Sequence, residues 1–474
     1  MIKKMAIMIL LAAFLFNSTE SVHPASEGGG GGIPHVLSIA AAAFRPDMKG
    51  YTYNNTGYWL EHLSFDGSCP SCNAFYYAPV HLPHYAAITG LTAEMYDHNT
   101  SRDGYVRLIE ADLATGLGSN WIATVSSVGH SGGFTSYSDT GKNQLVDNQA
   151  HAYYLLYWTP EEQTPSEEIM LGGVQISYRE NAETSPTYYS LTGADFTPFS
   201  QEDNYTNSGA RFESSGTVDR DFQAGVNLPN GARLDRLTFY YLGTTTTTVS
   251  ANLAKVNLNG TYFYVGGVTS ALAAGNGSGN STTFTSNEVN NNSFAYWLFY
   301  RFANGPKAYG VSIQYTPRFS STDETLFNIS AANFVPSHGN YTYQNTGGYI
   351  VHLNGGTGNA GAYMAPFAPP PDSSLKLMYF AVGNSVNSTP GELSLLDLTD
   401  ARDVYTMWLH ETLTSGGWYA IGSSLINRNP IDYRHNTYYL RLNLPASNYP
   451  TDWVYAEGAK GQWAYRVFLP TVKK

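Results

Sequence analysis

The sequence predicts an all-β protein: three tandem antiparallel β-sandwich domains, jelly-roll-like or immunoglobulin-like, behind a signal peptide. Three observations predict it. Apolar and polar residues alternate with period two, as in Val174-Gln175-Ile176-Ser177-Tyr178 and Val311-Ser312-Ile313-Gln314-Tyr315; that period puts one strand face in a core and the other in water. Turn residues punctuate the chain about every ten positions, with no convincing amphipathic helix beyond the N-terminus. One opening signature occurs three times at identical internal spacing: Ile39-x-x-Ala42-x-Phe44-x-Pro46, Leu191-x-x-Ala194-x-Phe196-x-Pro198 and Ile329-x-x-Ala332-x-Phe334-x-Pro336.

The elements follow in order. Lys3 and Lys4 precede an apolar run from Met5 to Phe16, and polar residues follow from Asn17. Charged start, short apolar middle and polar exit are the pattern of an export signal, expected over residues 1–26. No later run is long and apolar enough to span a bilayer, so a secreted, extracellular or cell-surface location is expected. A Gly-rich linker is expected over 27–37, then sandwiches over 38–179, 190–317 and 328–474. The stretches near 179–195 and 316–333 read as linkers long enough for hinge motion, unless neighbouring sandwiches bury a shared interface.

Further landmarks recur in the same order. Tyr51-Thr52-Tyr53-x-Asn55-Thr56-Gly57 matches Tyr341-Thr342-Tyr343-x-Asn345-Thr346-Gly347, and the middle copy keeps Tyr205-Thr206-Asn207-Ser208-Gly209. Val80-His81-Leu82-Pro83-His84-Tyr85-Ala86 answers Val226-Asn227-Leu228-Pro229-Asn230-Gly231-Ala232, a turn in which proline stops ladder pairing and glycine permits positive φ. The opening signature, this Leu-Pro-x-Gly-Ala turn and the closing strand Gly-Val-x-Ile-x-Tyr (from Gly173 and Gly310) resemble an uncharacterised β-sandwich repeat of secreted bacterial proteins. The tail from Val467 to Lys474 also resembles the apolar, Leu-Pro and basic ends of some of them. The resemblance covers nearly the whole mature chain and implies export and a sandwich fold. It carries no catalytic residue and no ligand.

Composition excludes several classes. Aromatic residues make up 14% and charged residues 13% of the chain, the opposite of a disordered composition. The net charge is −12 with no basic run, so nucleic acid is not an expected partner. Cys69 and Cys72 are the two cysteines, and in an oxidising compartment they are expected to close a disulfide. Zinc would need two further ligands.

The chemical motifs read mostly as architecture. Gly129-His130-Ser131-Gly132-Gly133 matches a serine nucleophile elbow, with Asp147 and His151 following in the right order. That motif works on a strand-to-helix turn; here strand-like residues follow, so a glycine-rich hairpin loop is expected. His81 and His84 answer Asn227 and Asn230 and are read as polar turn residues, not metal ligands. Asp97 to Gly104 is read as a solvated hairpin loop, since it lacks the glycine and glutamate of a helix-loop-helix calcium site; Ca2+ at another loop is left open. Glu94, Asp97, Glu392 and Asp397 are the carboxylates considered for glycoside hydrolysis.

Aromatics are the remaining lead. Trp59, Trp408 and Tyr419 are the candidate ligand-binding rings; Trp121 and Trp418, in the matching runs Trp-x-Ala-x-x-Ser-Ser, are expected in the core. The expected function is a non-enzymatic surface protein, without cofactor, that binds glycan or cell-wall material through repeated sandwiches. A structural component of the envelope, homo-oligomeric through its sandwiches, and a carbohydrate-active enzyme are the alternatives.

Overall fold

The structure is a computed structural model. It describes residues 33–465 except 57–58, 66–72, 161–167, 181–185, 200–203, 215–219, 258–260, 292, 303–304, 318–323, 338–340, 342, 346–348, 354–360, 367–372, 385–391, 400–401, 411–416, 424–435 and 445–453. The expected signal peptide, the Gly28–Gly32 run, Cys69 and Cys72 lie outside the described residues.

Among the described residues the first repeat holds eleven strands: β1 Ile33–Ala40, β2 Arg45–Pro46, β3 Tyr51–Asn55, β4 Leu60–Phe65, β5 Ala74–Val80, β6 Ala87–Asp97, β7 Tyr105–Asp112, β8 Leu117–Ser126, β9 Phe134–Leu145, β10 His151–Thr159 and β11 Ile169–Glu180. One sheet runs β3-β4-β11-β6-β9, with β1 also on β11, and the other runs β2-β5-β10-β7-β8. The pairings are antiparallel. From β4 to β11 this is the four-on-four order of a jelly roll, which decides between the two sandwich types the sequence left open. The same eleven-strand order recurs from Thr187 to Thr316 and from Glu324 to Tyr465.

Alternation drives the layering. In β6, Leu91, Ala93 and Met95 are buried while Thr92, Glu94 and Tyr96 face outward. Their inward side chains meet Val174 and Ile176 of β11 and Tyr153, Leu155 and Tyr157 of β10 in one core. Buried phenols are anchored at their tips: Tyr157 donates to the Ile169 carbonyl at 2.9 Å, and Tyr153 accepts from the Asp147 amide at 2.8 Å. These two hydroxyls of the first core are thus paired, whereas that of Tyr300 in the second core is buried with no hydrogen-bond partner among the described residues.

Residues 33–37, expected as linker, are the first half of β1. Pro34 disguised the strand, because proline donates nothing to a ladder; here it sits opposite Arg179. Likewise the supposed hinges contain Thr187–Thr192 and Glu324–Ser330, each a strand of the repeat it enters.

The three repeats close on one another. Each opening signature forms a single 3-10 turn, at Ala41–Ala43, Gly193–Asp195 and Ala331–Asn333. Ala194 packs with Ala210 against Tyr77, Ile109, Ala111, Tyr154 and Leu156 of the first repeat. Ala332 packs against Ala254, Val256 and Trp297 of the second. Ala40 and Ala42 pack against Met364 and Tyr439 of the third. The signature alanine is thus small because it inserts under a neighbouring sheet, while the signature phenylalanines Phe44 and Phe196 fill their own cores. Second on first, third on second and first on third make a closed ring with pseudo-threefold symmetry.

One cation lies where the repeats converge. Arg45 is buried and donates to the Asp195 carbonyl of the second repeat. It interacts with Tyr53, Tyr205 and Tyr343, corresponding tyrosines of the three repeats. Burial draws the Arg45 guanidinium down to about 10, against the opposing pull of Asp195 and the tyrosines.

Candidate functional site

On the first and second repeats the ring covers part of the outer face of the five-stranded sheet and leaves part open. On the first repeat, outward residues of β7 divide accordingly: Ile109 and Ala111 lie under the second repeat, whereas Tyr105 and Arg107 are half-exposed. Trp158 of β10 stacks on its register partner Tyr105, with ring centroids 4.9 Å apart and planes 11° from parallel. The Arg107 guanidinium lies 4.1 Å from the Tyr105 ring centroid and 3.9 Å from that of Trp121 on β8. A row Trp158–Tyr105–Arg107–Trp121 thereby crosses three strands. Alternation of β7 places Tyr105 and Arg107 on one face, and the bulge between Leu108 and Ile109 shifts Trp121 into reach.

Trp121 is 62% exposed, so its expected place in the core is wrong. The matching of Trp121 with Trp418 misled: Trp121 lies on β8, an edge of the five-stranded sheet, while Trp418 lies on Gly417–Ser423, an edge of the six-stranded sheet. Similar letters therefore occupy different strands.

The second repeat carries a neutral counterpart. Its bulge falls between Leu253 and Ala254, so Asn252 takes the place of Arg107 and Tyr264 that of Trp121. The Tyr264 hydroxyl donates to Asn252 Oδ1 at 2.6 Å, and Tyr262 stands 67% exposed beside Trp297. Side chain and ring close on each other there, whereas Arg107 keeps its charge between two ring faces.

The predicted rings do not converge. Trp59 is half-buried in the turn between β3 and β4, where its carbonyl accepts from Thr56 N–H at 3.1 Å. That turn meets the third repeat, since Tyr439 donates to the Thr56 carbonyl at 3.3 Å. Trp408 lies on Arg402–His410, the third-repeat counterpart of β8, and Tyr419 on the edge of the other sheet.

The catalytic patterns dissolve into structure. Ser131 donates to the Gly133 carbonyl at 2.7 Å and bonds the Asp97 backbone, at the end of the sandwich where β9 begins. Asp147 and His151 follow the far end of β9, about 35 Å of strand away by ordinary rise per residue. Glu94 and Asp97 point to opposite faces of β6. Glu392 and Asp397 lie on one strand of the third repeat, Glu392–Thr399.

His84 Nδ1 accepts from the Asn148 amide at 3.1 Å, as Asn230 Oδ1 does from Asn291 at 2.8 Å, so the histidine serves the turn. His81 stacks on Tyr189 at 4.7 Å and pairs with Asp195 at 3.0 Å across the seam. The loop after Asp97 is exposed over Thr100–Asp103, as expected, but is pinned from its buried start. Asp97 and Asn99 are buried, Asp97 Oδ1 accepts from Asn99 N–H, and Asn99 Oδ1 accepts from Ser101 and Arg102 N–H. Among the described residues no group of three or more metal-ligating side chains is gathered, and no helix is long and apolar enough to cross a membrane.

No protein-family model matches the chain, and no curated protein does. Solved structures give distant likenesses. The CBM22-1–CBM22-2 tandem of Paenibacillus barcinonensis Xyn10C is 10% identical with a TM-score of 0.23, over 60% of this chain and 100% of that one. The infectious bursal disease virus VP2 subviral particle is 9% identical with a TM-score of 0.18, over 92% and 81%. The ANXUR2 extracellular domain of Arabidopsis thaliana is 9% identical with a TM-score of 0.12, over 60% and 97%.

Proposed function

We propose that this protein is an exported, non-enzymatic binder of glycan or surface material, and that the row Trp158–Tyr105–Arg107–Trp121 is its contact face. The observation that carries the reading is the solvent-facing Trp121 ring, held flat by Arg107 on a sheet that the closed ring keeps rigid. A flat exposed ring beside polar groups suits the apolar face of a sugar. The separation of Ser131 from His151, and the opposite faces of Glu94 and Asp97 on β6, support a binding role over hydrolysis.

Affinity electrophoresis of the mature chain through a panel of polysaccharides tests this. At least one should retard the protein, and Trp121→Ala should weaken that retardation roughly tenfold. Retardation that Trp121→Ala leaves unchanged, or turnover of a polysaccharide, would overturn it.

A further inference from the structure

We infer that the contact face on the first repeat selects a glycan carrying carboxylates, a polyuronate. The inference rests on the reading of this face as a glycan site and adds the charge of its ligand.

Acidic residues exceed basic ones by 37 to 25 in this chain, and four of its described cations on the sheets have acids beside them. Lys142 pairs with Asp139, Arg233 with Asp235, Arg301 with Asp221 and Lys307 with Glu213, at 2.5 to 2.9 Å. Arg107 has no such acid among the described residues, and where Lys255 lies over one ring, Phe294, at 4.4 Å, Arg107 lies over two. Two ring faces hold it, no carboxylate among the described residues is its ion-pair partner, and its Nε has no hydrogen-bond partner. The fold does not require a cation here, because Asn252 occupies the same place beside the same bulge in the second repeat.

A planar guanidinium held between rings, its Nε buried and no acid among the described residues on its outer edge, is matched there by a carboxylate, which takes two parallel N–H bonds. Arg107 takes one face of Trp121, so a pyranose stacked on the other lies one ring away, and the carboxylate of that unit or its neighbour reaches the guanidinium past the indole edge. Each contact alone is weak; a chain of uronate units offers both to one face.

The test uses the mature chain with polygalacturonate, alginate and hyaluronan, fully methyl-esterified polygalacturonate, a neutral galactan and a sulfated galactan. At least one polyuronate should bind. Arg107→Gln should weaken it tenfold or more with an unchanged melting temperature, Arg107→Lys should restore only part, and binding should fall as salt rises. Trp121→Ala should weaken it as well. Binding of the neutral galactan or the methyl ester as tightly as the polyuronates, with Arg107→Gln silent and Trp121→Ala damaging, would overturn the charge selection and leave the glycan site standing. Preference for the sulfated galactan over every polyuronate would also overturn it. Failure of all the polysaccharides to bind would overturn both.

Discussion

Asn207 donates its backbone N–H to the carbonyl of Asp47 at 2.7 Å, and so ties the second repeat to the first. The bond recurs around the ring: Asn345 donates to Phe199 and Asn55 to Ser337, each at 2.8 Å. Asp47, Phe199 and Ser337 each follow a signature proline. Every asparagine also turns its side chain inward, to the carbonyl of Ala41, Gly193 or Ala331 at the start of its own 3-10 turn.

Replacing one of these asparagines should therefore loosen a seam as well as a turn. Asn207→Ala removes the bond to Gly193 and leaves the Gly209 amide without its 2.8 Å acceptor. Buried groups left unpaired cost about 1–3 kcal/mol each. Urea unfolding should show the loss, and wild-type protein should unfold in one transition because each repeat holds two others. Three separate transitions in the wild type would contradict the closed ring.

Enlarging a signature alanine should open the ring. Ala332→Leu forces extra methyl groups between Ala254, Val256 and Trp297, where Ala332 is fully buried. Overpacking of this kind costs about 1–3 kcal/mol. Its expected signs are a lower melting temperature and a red shift of Trp297 emission. Gly209→Ala should act similarly at the first seam: its φ is +76°, and a Cβ there would stand 2.3 Å from the Tyr154 ring of the first repeat.

Acid should destabilise the protein through His62. Buried with its Nδ1 2.9 Å from the Tyr76 hydroxyl, His62 is lowered by burial to about 4 from an ordinary 6.5. The fold thus favours neutral imidazole. Its contribution is complete above pH 6.5 and is lost as pH falls toward 4, a change of about 3 kcal/mol. His62→Gln should flatten that limb in a pH series of urea midpoints; an unchanged slope would refute the assignment.

Asp47 titrates with the opposite effect. Burial raises its carboxyl to about 6, with Tyr51 hydrogen-bonding against that rise. The fold favours the protonated acid, so stability falls as pH climbs from 3.8 through 6. The corresponding Phe199 and Ser337 carry no charge, so the seam does not depend on one. Asp47→Asn should raise stability at pH 7 by up to about 3 kcal/mol and change little at pH 3.5, as read from urea midpoints.

Much of the fold was legible because its cause is local. Alternation in Val174–Tyr178, the proline of the Leu-Pro turn and the spacing of Ala42, Phe44 and Pro46 all act within a few residues of themselves. What Ala42, Ala194 and Ala332 do was not legible, since their partners lie on another repeat and an alanine carries no mark of what covers it. The site was less legible still. Trp121 and Trp158 have the same residue type, but whether a ring stands in water depends on the register of β7 with β8 and on how far the next repeat reaches over the sheet. Arg107 gave no sign, because the lack of an acid beside it is a fact of three dimensions.

Arg45 shows what joining three sandwiches in one polypeptide permits. A trimer of identical subunits must repeat each side chain at its centre, and three guanidinium ions converging in a dry interior would repel one another. Here the matching positions hold Thr197 and Val335, so a single positive charge serves three phenols. Fusion lets the centre and the outer faces of the assembly differ from one sector to the next, as Arg107 and Asn252 already do.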